Sequence, residues 1–382
     1  MKIRSKRVWI GGSFHPATLE TEGKTIVKIL PYDDCEPDKD YENRRIVPGF
    51  IDIHTHGAYG FNTNSDDEDG LKEWKRKLPS EGVTTFLATT VTAPKEEIMK
   101  GLRNVVKVAK QECDGADLLG VHLEGPYIDK KYHGAQPIET VVKPNLEEFK
   151  EYIETSNGMI RVVTIAPEHD EDHKLIRYCA QNGIVASLGH SCASYDQVWL
   201  AAANGARSVT HTFNGMSSLS HRNNGLAGAA MHIDSLYTEL ICDCNHVAPE
   251  IINLLFRTKG KEKVVMISDS VMCKGSPVGQ TCSFSELDVI IYPDGSARLV
   301  SDGTFAGSTM RMNEGLKNLI EIAQVPFEAA LNSCTANPAA LLKEDNHIGS
   351  LSTGHDADIV VLEDDYSVFE TYCKGKIVYT KE

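Results

Sequence analysis

The middle of the chain alternates regularly between short apolar runs and longer amphipathic segments, and this alternation restricts the fold more than any other feature. Each apolar run is rich in Val, Ile, Leu and Thr, which is typical of strands that are covered on both faces. Eight such runs, each followed by a helical segment or a loop, predict a (β/α)8 TIM barrel, an α/β fold of about 250 residues or more. The predicted strands are 47–54, 83–90, 118–124, 160–166, 184–189, 208–212, 237–243 and 263–268.

The two ends of the chain differ from its middle. Residues 1–46 contain short strand-like runs, turns and charged residues but no long helix, and residues 348–382 contain two further strand-like runs. We therefore predict a small β domain built from both ends, beside a barrel domain of residues 47–347. The turn sequence at residues 292–296 lies between two strand-like runs, so we also expect a hairpin inserted after the eighth barrel strand.

Composition excludes several classes of partner. The 382 residues carry a formal net charge of −15, which argues against binding to nucleic acid or to an anionic membrane. No run approaches the roughly 18 apolar residues of a membrane span, and the first apolar run is too short for a signal peptide. The ten cysteines are scattered without a Cys-x-x-Cys pair, a pattern typical of reduced, mostly buried thiols in a cytoplasmic protein.

Histidines and a glutamate follow several of the predicted strands. In a barrel of this kind the active site lies at the carboxyl ends of the strands, so these side chains should meet at one rim. Neutral imidazole and carboxylate are ligands for a divalent ion that keeps one position open for water. A single histidine at a strand end is more often structural, but the conjunction of several predicts a metal site. The candidate ligands are His54, His56, Glu124, His190 and His211.

A further acid, Asp269, follows the eighth predicted strand. A metal ion lowers the pKa of its bound water to about 7, and a nearby carboxylate can then accept the water proton. The same acid can return that proton to a leaving amine. The alternative role is helix capping, for which Ser268-Asp269-Ser270 is also suitable. The place of Asp269 at a strand end favours catalysis.

These motifs resemble those of the amidohydrolase superfamily of metal-dependent barrel hydrolases, and within it the N-acetylglucosamine-6-phosphate deacetylases. His-x-His alone is common to many relatives, whereas His-Leu-Glu-Gly-Pro together with Thr-His-x-Phe-Asn is far more specific. The motifs occur in the family's order and span about residues 47 to 341. The segments that carry the resemblance are 48–57, 122–127, 189–191, 210–216, 225–228 and 302–308.

The resemblance implies hydrolysis of the acetamide of N-acetylglucosamine 6-phosphate to glucosamine 6-phosphate and acetate. It implies that Glu124, His190 and His211 hold one divalent ion, and that His54 and His56 hold a second, with Glu124 as a plausible bridge. One or two ions per subunit are therefore expected. The ligand types leave zinc, iron and manganese open.

The resemblance also implies contacts with the phosphorylated amino sugar, some of them reaching the pocket of a neighbouring subunit, and hence a homodimer. Gln136 and Gly215 stand where some members carry His and Ala, so their contacts would be altered. For Arg222, a role as a surface cation and a role as a phosphate ligand are equally open. The implied substrate contacts are Ala135, Gln136, Asn214, Gly215, Arg222, His246, Phe305, Ala306 and Gly307.

Two alternatives stay open at this point. The first is a deacetylase of N-acetylgalactosamine 6-phosphate or of another amide, because the sugar epimer depends on a single hydroxyl contact. The second, from a different functional class, is a catalytically inactive barrel that serves as a binding protein. The intact ligand set and Asp269 argue against the second alternative.

Overall fold

Eight parallel strands, taken in sequence order, form the central barrel of the computed structural model, which describes residues 1–111, 114–284 and 287–382. This arrangement confirms the predicted TIM barrel. Within the described residues, none of the helices has the length and apolar character needed to cross a membrane. The barrel strands, numbered β1 to β8, are Phe50–Thr55, Val83–Thr90, Asp117–Glu124, Ile160–Ile165, Val185–Leu188, Ser208–Val209, Tyr237–Ile241 and Val264–Ile267.

The barrel closes between β1 and β8 through residues just beyond the paired sheet. The main-chain N–H of Asp269 donates to the carbonyl of His54, and the N–H of His56 donates to the carbonyl of Ser270, each at 2.8 Å. Below them, the Ser268 hydroxyl donates to Asp52 at 2.6 Å. Closure therefore places the first and eighth strand ends, and the side chains they carry, next to each other.

The first strand is shorter than predicted because the chain changes sheets at Gly49. Residues 47 and 48 belong to the strand Arg45–Pro48, which pairs antiparallel with Ile359–Leu362 in a second sheet. A Cβ atom at Gly49 would lie 2.1 Å from the Thr84 hydroxyl oxygen, so only glycine fits where the two sheets meet.

Helices surround the barrel and bury their apolar faces against its outer surface. Two have clear start signals: Asn145 accepts hydrogen bonds from the N–H groups of Glu147 and Glu148, and Ser194 forms a capping box with Gln197. The α-helices are Glu68–Lys77, Lys95–Ala109, Leu146–Thr155, Lys174–Gln181, Tyr195–Ala203, Gly225–His232, Pro249–Lys259, Met312–Lys317, Phe327–Ser333 and Ala336–Leu342. Shorter helical turns are Leu78–Glu81, Ile138–Thr140, Pro167–His169, Glu171–His173, Gly260–Glu262 and the π-helical turn Asn318–Ile322.

Strands from both ends of the chain form the second sheet, as predicted. Their apolar faces enclose a separate core that includes Ile3, Leu19, Ile26 and Val361. The limits of the two domains, at residues 46 and 348, stay a prediction. The strands of this sheet are Lys2–Ile10, Ser13–Glu22, Thr25–Pro31, Lys39–Asp40, Arg45–Pro48, Ile359–Leu362, Val368–Cys373 and Lys376–Thr380.

A three-stranded insertion follows β8 and contains the predicted turn, where the N–H of Gly295 donates to the carbonyl of Tyr292 at 2.9 Å. The expectation of free thiols is wrong for Cys273 and Cys282, which are joined as a disulfide where the insertion packs against the loop after β8. The inserted strands are Thr281–Phe284, Leu287–Ile291 and Ala297–Leu299, and a small hairpin after β1 comprises Gly57–Ala58 and Phe61–Asn62.

Candidate active site

A cavity of about 310 Å3 opens at the carboxyl ends of the barrel strands. Most of the residues predicted for the site line it, and Gly134 and Thr304 are additions that the sequence did not indicate. Its volume suits a small polar ligand. The lining residues are His56, Glu124, Gly134, Ala135, Gln136, His190, His211, Asn214, Gly215, His246, Asp269, Thr304, Phe305 and Gly307.

Three of these side chains are presented by an unusual backbone conformation. His190, His211 and Asp269 each follow the end of a strand, and each has a positive φ, of 45°, 28° and 48°. This left-handed region costs free energy for residues other than glycine, so the surrounding structure must hold it. The loops do so: the N–H of Asp129 donates to the His190 carbonyl, and the N–H of Ser308 donates to the Asp269 carbonyl, each at 2.7 Å.

Glu124, His190 and His211 form the first group of candidate ligands. Oε1 of Glu124 lies 3.0 Å from Nε2 of His211 and 3.3 Å from Nε2 of His190. The two imidazole Nε2 atoms are 3.1 Å apart. Ligand atoms at about 2.1 Å from one ion stand about 3.4 Å apart in a tetrahedron, so the spacing of this group fits a metal ion.

His54, His56 and Asp269 form a second group beside the first. Oδ1 of Asp269 lies 3.5 Å from Nε2 of His54 and 3.2 Å from Nε2 of His56. Glu124 stands between the groups, since its Oε2 is 3.2 Å from Nε2 of His56. The structure therefore gathers all five predicted ligands and Asp269 at one point, with Glu124 facing both groups.

The ring protons of the histidines indicate that a cation belongs between them. Nδ1 of His190 lies 2.7 Å from the Tyr132 carbonyl, and Nδ1 of His211 lies 3.1 Å from the Asn214 carbonyl. A carbonyl oxygen can only accept, so each neutral ring carries its proton on Nδ1 and directs the lone pair of Nε2 into the cavity. Two such lone pairs 3.1 Å apart repel each other unless a positive charge lies between them.

The electrostatics of the cavity also favour positive charge. Burial lowers the pKa of His56, but hydrogen bonds with Asp269 and Glu124 outweigh burial and raise it to about 10. Burial likewise opposes protonation of His190, yet Glu124 raises its pKa. Burial would raise the pKa of Glu124, but the nearby imidazoles, His54 first, hold it well below its usual value. The negative charge of the carboxylates that favours protonation of these histidines would equally favour a divalent cation at the same place.

Gln136 contacts a candidate metal ligand directly. Its side-chain N–H donates to Oε2 of Glu124 at 2.5 Å, and its side-chain oxygen accepts from the N–H of Thr92 at 2.8 Å. Both ends of the amide are therefore engaged, and the amide fixes the orientation of the Glu124 carboxylate.

The cavity lining also includes His246, Phe305 and Gly215. Nδ1 of His246 pairs with Asp243 at 2.7 Å, and the His246 ring lies 4.5 Å from the ring of Phe305. Gly215 adopts a φ of 57°, and a Cβ atom there would lie 3.0 Å from Nδ1 of His190. The absence of a side chain at Gly215 thus leaves room for the His190 ring.

Three predicted site residues do not line the cavity of this single chain. Arg222 is exposed on the loop before the helix Gly225–His232, Ala306 is buried behind the cavity wall, and His54 lies fully buried beneath His56. Glu239, on β7, is a polar residue of the region that was not predicted from the sequence, and it lies 3.0 Å from Nδ1 of His54. A carboxylate inside an apolar strand was the available sequence signal.

Known proteins resemble the chain over most of its length. The amidohydrolase family model matches residues 45–378. The chain is 39% identical over 337 residues to the N-acetylglucosamine-6-phosphate deacetylase of Bacillus subtilis (strain 168), covering 87% of this chain and 84% of that relative. It is 32% identical over 332 residues to the N-acetylgalactosamine-6-phosphate deacetylase of Escherichia coli O157:H7, covering 87% of each.

The fold has a similarly extensive match among solved structures. A mutant of the N-acetyl-D-glucosamine-6-phosphate deacetylase of Mycobacterium smegmatis, in complex with N-acetyl-D-glucosamine-6-phosphate, superposes with a TM-score of 0.94. That match covers 100% of this chain and 99% of the other, at 29% sequence identity.

Proposed function

The chain belongs to the amidohydrolase family, and from that premise we propose that it hydrolyses the acetamide of N-acetyl-D-glucosamine 6-phosphate to D-glucosamine 6-phosphate and acetate. The observation that carries this proposal is the convergence of five metal-ligand side chains and Asp269 at the mouth of the barrel. The curated relative with 39% identity is a deacetylase of this phosphorylated sugar. An intact site of this kind is not expected in an inactive binding protein.

Within this proposal, Glu124, His190 and His211 hold one divalent ion, and His54 and His56 hold a second next to Glu124. The neutral nitrogen and carboxylate donors suit zinc, iron or manganese alike. A divalent ion bound there would supply polarisation of the acetyl carbonyl and would lower the pKa of bound water to about 7. The histidines contribute by keeping their Nδ1 protons on acceptors outside the cavity, which leaves Nε2 free.

Asp269 is the proposed general base and acid. Its carboxylate accepts a proton from the attacking water as the carbon–oxygen bond forms at the acetyl carbon. It then gives that proton to the sugar nitrogen as the carbon–nitrogen bond breaks, because an amine leaves poorly unless it is protonated. Acetate and the free amino sugar result. The hydrogen bonds that hold Asp269 in its left-handed conformation keep its carboxylate within 3.5 Å of both His54 and His56.

The phosphate end of the substrate is assigned to His246, Asn214 and Gly215, with Ala135, Gln136 and residues 305–307 along the acetyl and sugar side. We assign Arg222 to the pocket of a second copy of the chain, since it is exposed and is not among the residues that line its own cavity. This assignment makes the enzyme a homodimer. The expected compartment is the cytoplasm.

The galacto epimer is the second candidate substrate, because a relative with 32% identity is a deacetylase of N-acetylgalactosamine 6-phosphate. Acetate release from each phosphorylated epimer, with and without a chelator, tests both proposals. We expect the gluco epimer to be turned over with the higher kcat/KM and the chelator to abolish turnover. Equal or better activity on the galacto epimer would overturn the substrate assignment, and full activity after metal removal would overturn the mechanism.

A further inference from the structure

A row of buried polar side chains crosses the barrel beneath the cavity. We call it the polar belt. Its members come from six different strands or strand ends, and every one of them is fully buried. Buried polar groups of this kind are costly unless hydrogen bonds satisfy them, so the belt must be a connected network. The members are His54, His122, Thr164, Ser187, Thr210 and Glu239.

The hydrogen bonds of the belt connect its members one after another, starting at β1. Nδ1 of His122 lies 3.1 Å from the Ile53 carbonyl, and Nε2 lies 2.8 Å from the Thr164 hydroxyl. The Thr164 and Thr210 hydroxyl oxygens are 2.9 Å apart, and those of Thr210 and Ser187 are 2.7 Å apart.

The last two hydrogen bonds of the belt lead through Glu239 to His54, a candidate metal ligand. The Ser187 hydroxyl lies 3.4 Å from Oε1 of Glu239, and Oε2 of Glu239 lies 3.0 Å from Nδ1 of His54. The belt therefore starts at a main-chain carbonyl of β1 and returns to β1 at His54.

The carbonyl at the start fixes the direction of every hydroxyl. The Ile53 oxygen can only accept, so His122 carries its proton on Nδ1 and accepts from Thr164 at Nε2. Thr164 must then accept from Thr210, and Thr210 from Ser187, so the single Ser187 proton is shared between Thr210 at 2.7 Å and the more distant Oε1 of Glu239 at 3.4 Å. His122 therefore has both ring nitrogens engaged and has no lone pair to offer an ion, although His54, His122 and Glu239 lie close together.

We propose that Glu239, supported by the belt, is a positioning residue that holds the proton of His54 on Nδ1 and directs the bare Nε2 toward His56 and Glu124. Oε2 of Glu239 accepts the Nδ1–H of His54, and Nε2 then faces Nε2 of His56 and Oε1 of Glu124, each at 3.4 Å. Carboxylates behind a metal-bound histidine fix its tautomer and orientation in this way. The inference rests on the proposed function, because it takes these facing atoms to be ligands of the second ion.

The test compares substitutions at Glu239 that keep or break the link. In Glu239→Gln the amide oxygen accepts from His54 and the amide N–H donates to Ser187, so both ends stay satisfied and zinc binding should match the wild type. Glu239→Leu removes both links and should weaken zinc binding at the His54 and His56 site by about 10–100-fold. Equilibrium dialysis with zinc and elemental analysis measure both variants. Wild-type zinc affinity and stoichiometry in Glu239→Leu would overturn the proposal.

A second pair of variants tests the belt away from any metal ligand. Thr164→Val breaks the belt at a hydroxyl that hydrogen-bonds with His122 and Thr210. Thr84→Val is the matched control, since the buried Thr84 hydroxyl has no hydrogen-bond partner among the residues the structure describes. We expect weaker zinc binding only in Thr164→Val. Equal affinities in the two valine variants would overturn the role of the belt.

The 15N chemical shifts of the His54 ring give a readout that does not depend on turnover or on the number of bound ions. We expect a protonated Nδ1 in the wild type and in Glu239→Gln. A proton on Nε2 in the wild type would overturn the proposal. Acetate release by the same preparations separates the positioning role of Glu239 from the proposed deacetylase function. If the chain shows no deacetylase activity but His54 is protonated on Nδ1, only the proposed function is contradicted.

Discussion

At the residue scale, the proposed general base is a carboxylate in a left-handed backbone conformation, held by main-chain hydrogen bonds to His54 and Ser308. Asp269 has a φ of 48° and a carboxylate oxygen 3.2 Å from His56. Asparagine keeps the size and the backbone preference of this position but cannot accept a proton. We expect Asp269→Asn to fold and retain metal while kcat falls by about 10²–10⁴-fold. Acetate release and metal analysis of the same sample check this, and near-normal turnover would refute the role of Asp269.

Glu124 is the residue on which metal retention should depend most. Its two oxygens lie within 3.4 Å of four imidazole Nε2 atoms, so it faces both groups of candidate ligands. Removal of the carboxylate takes away the central negative charge and leaves the histidines facing each other. We therefore expect Glu124→Ala to lose tightly bound metal, measured by elemental analysis after dialysis. Retention of wild-type stoichiometry would contradict the assignment.

The residues of the site differed in how readily the sequence revealed them. Strand-end histidines and acids were identifiable because a TIM barrel gathers strand ends from distant parts of the chain at one rim. The contact between Gln136 and Glu124 was not, because it depends on how a long loop folds back over the strands. Glu239 was missed, although a carboxylate inside an apolar strand was a signal, because hydrophobic patterning does not tell which strand residues face the barrel interior.

At the element scale, sequence predicted which segments are strands better than where they begin. The run that starts at residue 47 reads as one strand but is divided at Gly49 between two sheets. The Pro48-Gly49 dipeptide is the local signal of a break, but both halves are buried, so hydrophobic patterning alone joins them into one strand. The requirement for glycine at this point is tertiary, because Thr84, from the neighbouring strand, occupies the space where a side chain at Gly49 would lie.

A buried ion pair connects the loop after β8 to the helical turn before β2. Lys274 and Glu81 are both fully buried, with the ammonium 2.6 Å from the carboxylate. Lys274→Met leaves Glu81 as an unpaired buried charge, which costs about 3–5 kcal/mol. We expect a large decrease in the free energy of unfolding, measured by urea denaturation.

The double variant Lys274→Met with Glu81→Gln removes both charges, so it should recover part of the lost stability. Lys261→Met, at an exposed pair with Glu328 at 2.7 Å, is the control and should change stability far less. A double variant no more stable than Lys274→Met alone would contradict the explanation by an uncompensated charge.

At the scale of the whole molecule, a buried acid lies where the terminal sheet meets the barrel. Asp358 precedes the strand Ile359–Leu362, accepts the N–H of Lys374 at 2.7 Å, and its carbonyl accepts the N–H of Gly49. Burial raises the pKa of Asp358 to about 7. The folded protein therefore binds this proton more tightly than the unfolded chain does.

This raised pKa sets the sign of a pH dependence. The stabilising contribution of the Asp358 proton is fully present below about pH 4, the pKa of an unfolded aspartate, and is lost as the pH rises through about 7. We expect Asp358→Asn to become more stable relative to the wild type between pH 5 and pH 8, by urea denaturation at each pH. Asp34→Asn, at an exposed carboxylate, is the control. A constant difference across this range would contradict the prediction.

The proposed homodimer would place Arg222 in the pocket of the other subunit, and complementation between variants tests this assignment. In a mixed dimer of Asp269→Asn and Arg222→Gln chains, one of the two cavities would combine an intact Asp269 with an intact Arg222 from the other chain. Random exchange makes half of the dimers mixed, so the mixture should regain about a quarter of wild-type activity if dimers are symmetric and Arg222 acts across the interface. We expect this regain of activity because Arg222 is exposed in the single chain. Activity equal to the average of the two separate variants would instead place Arg222 in its own subunit or outside the site.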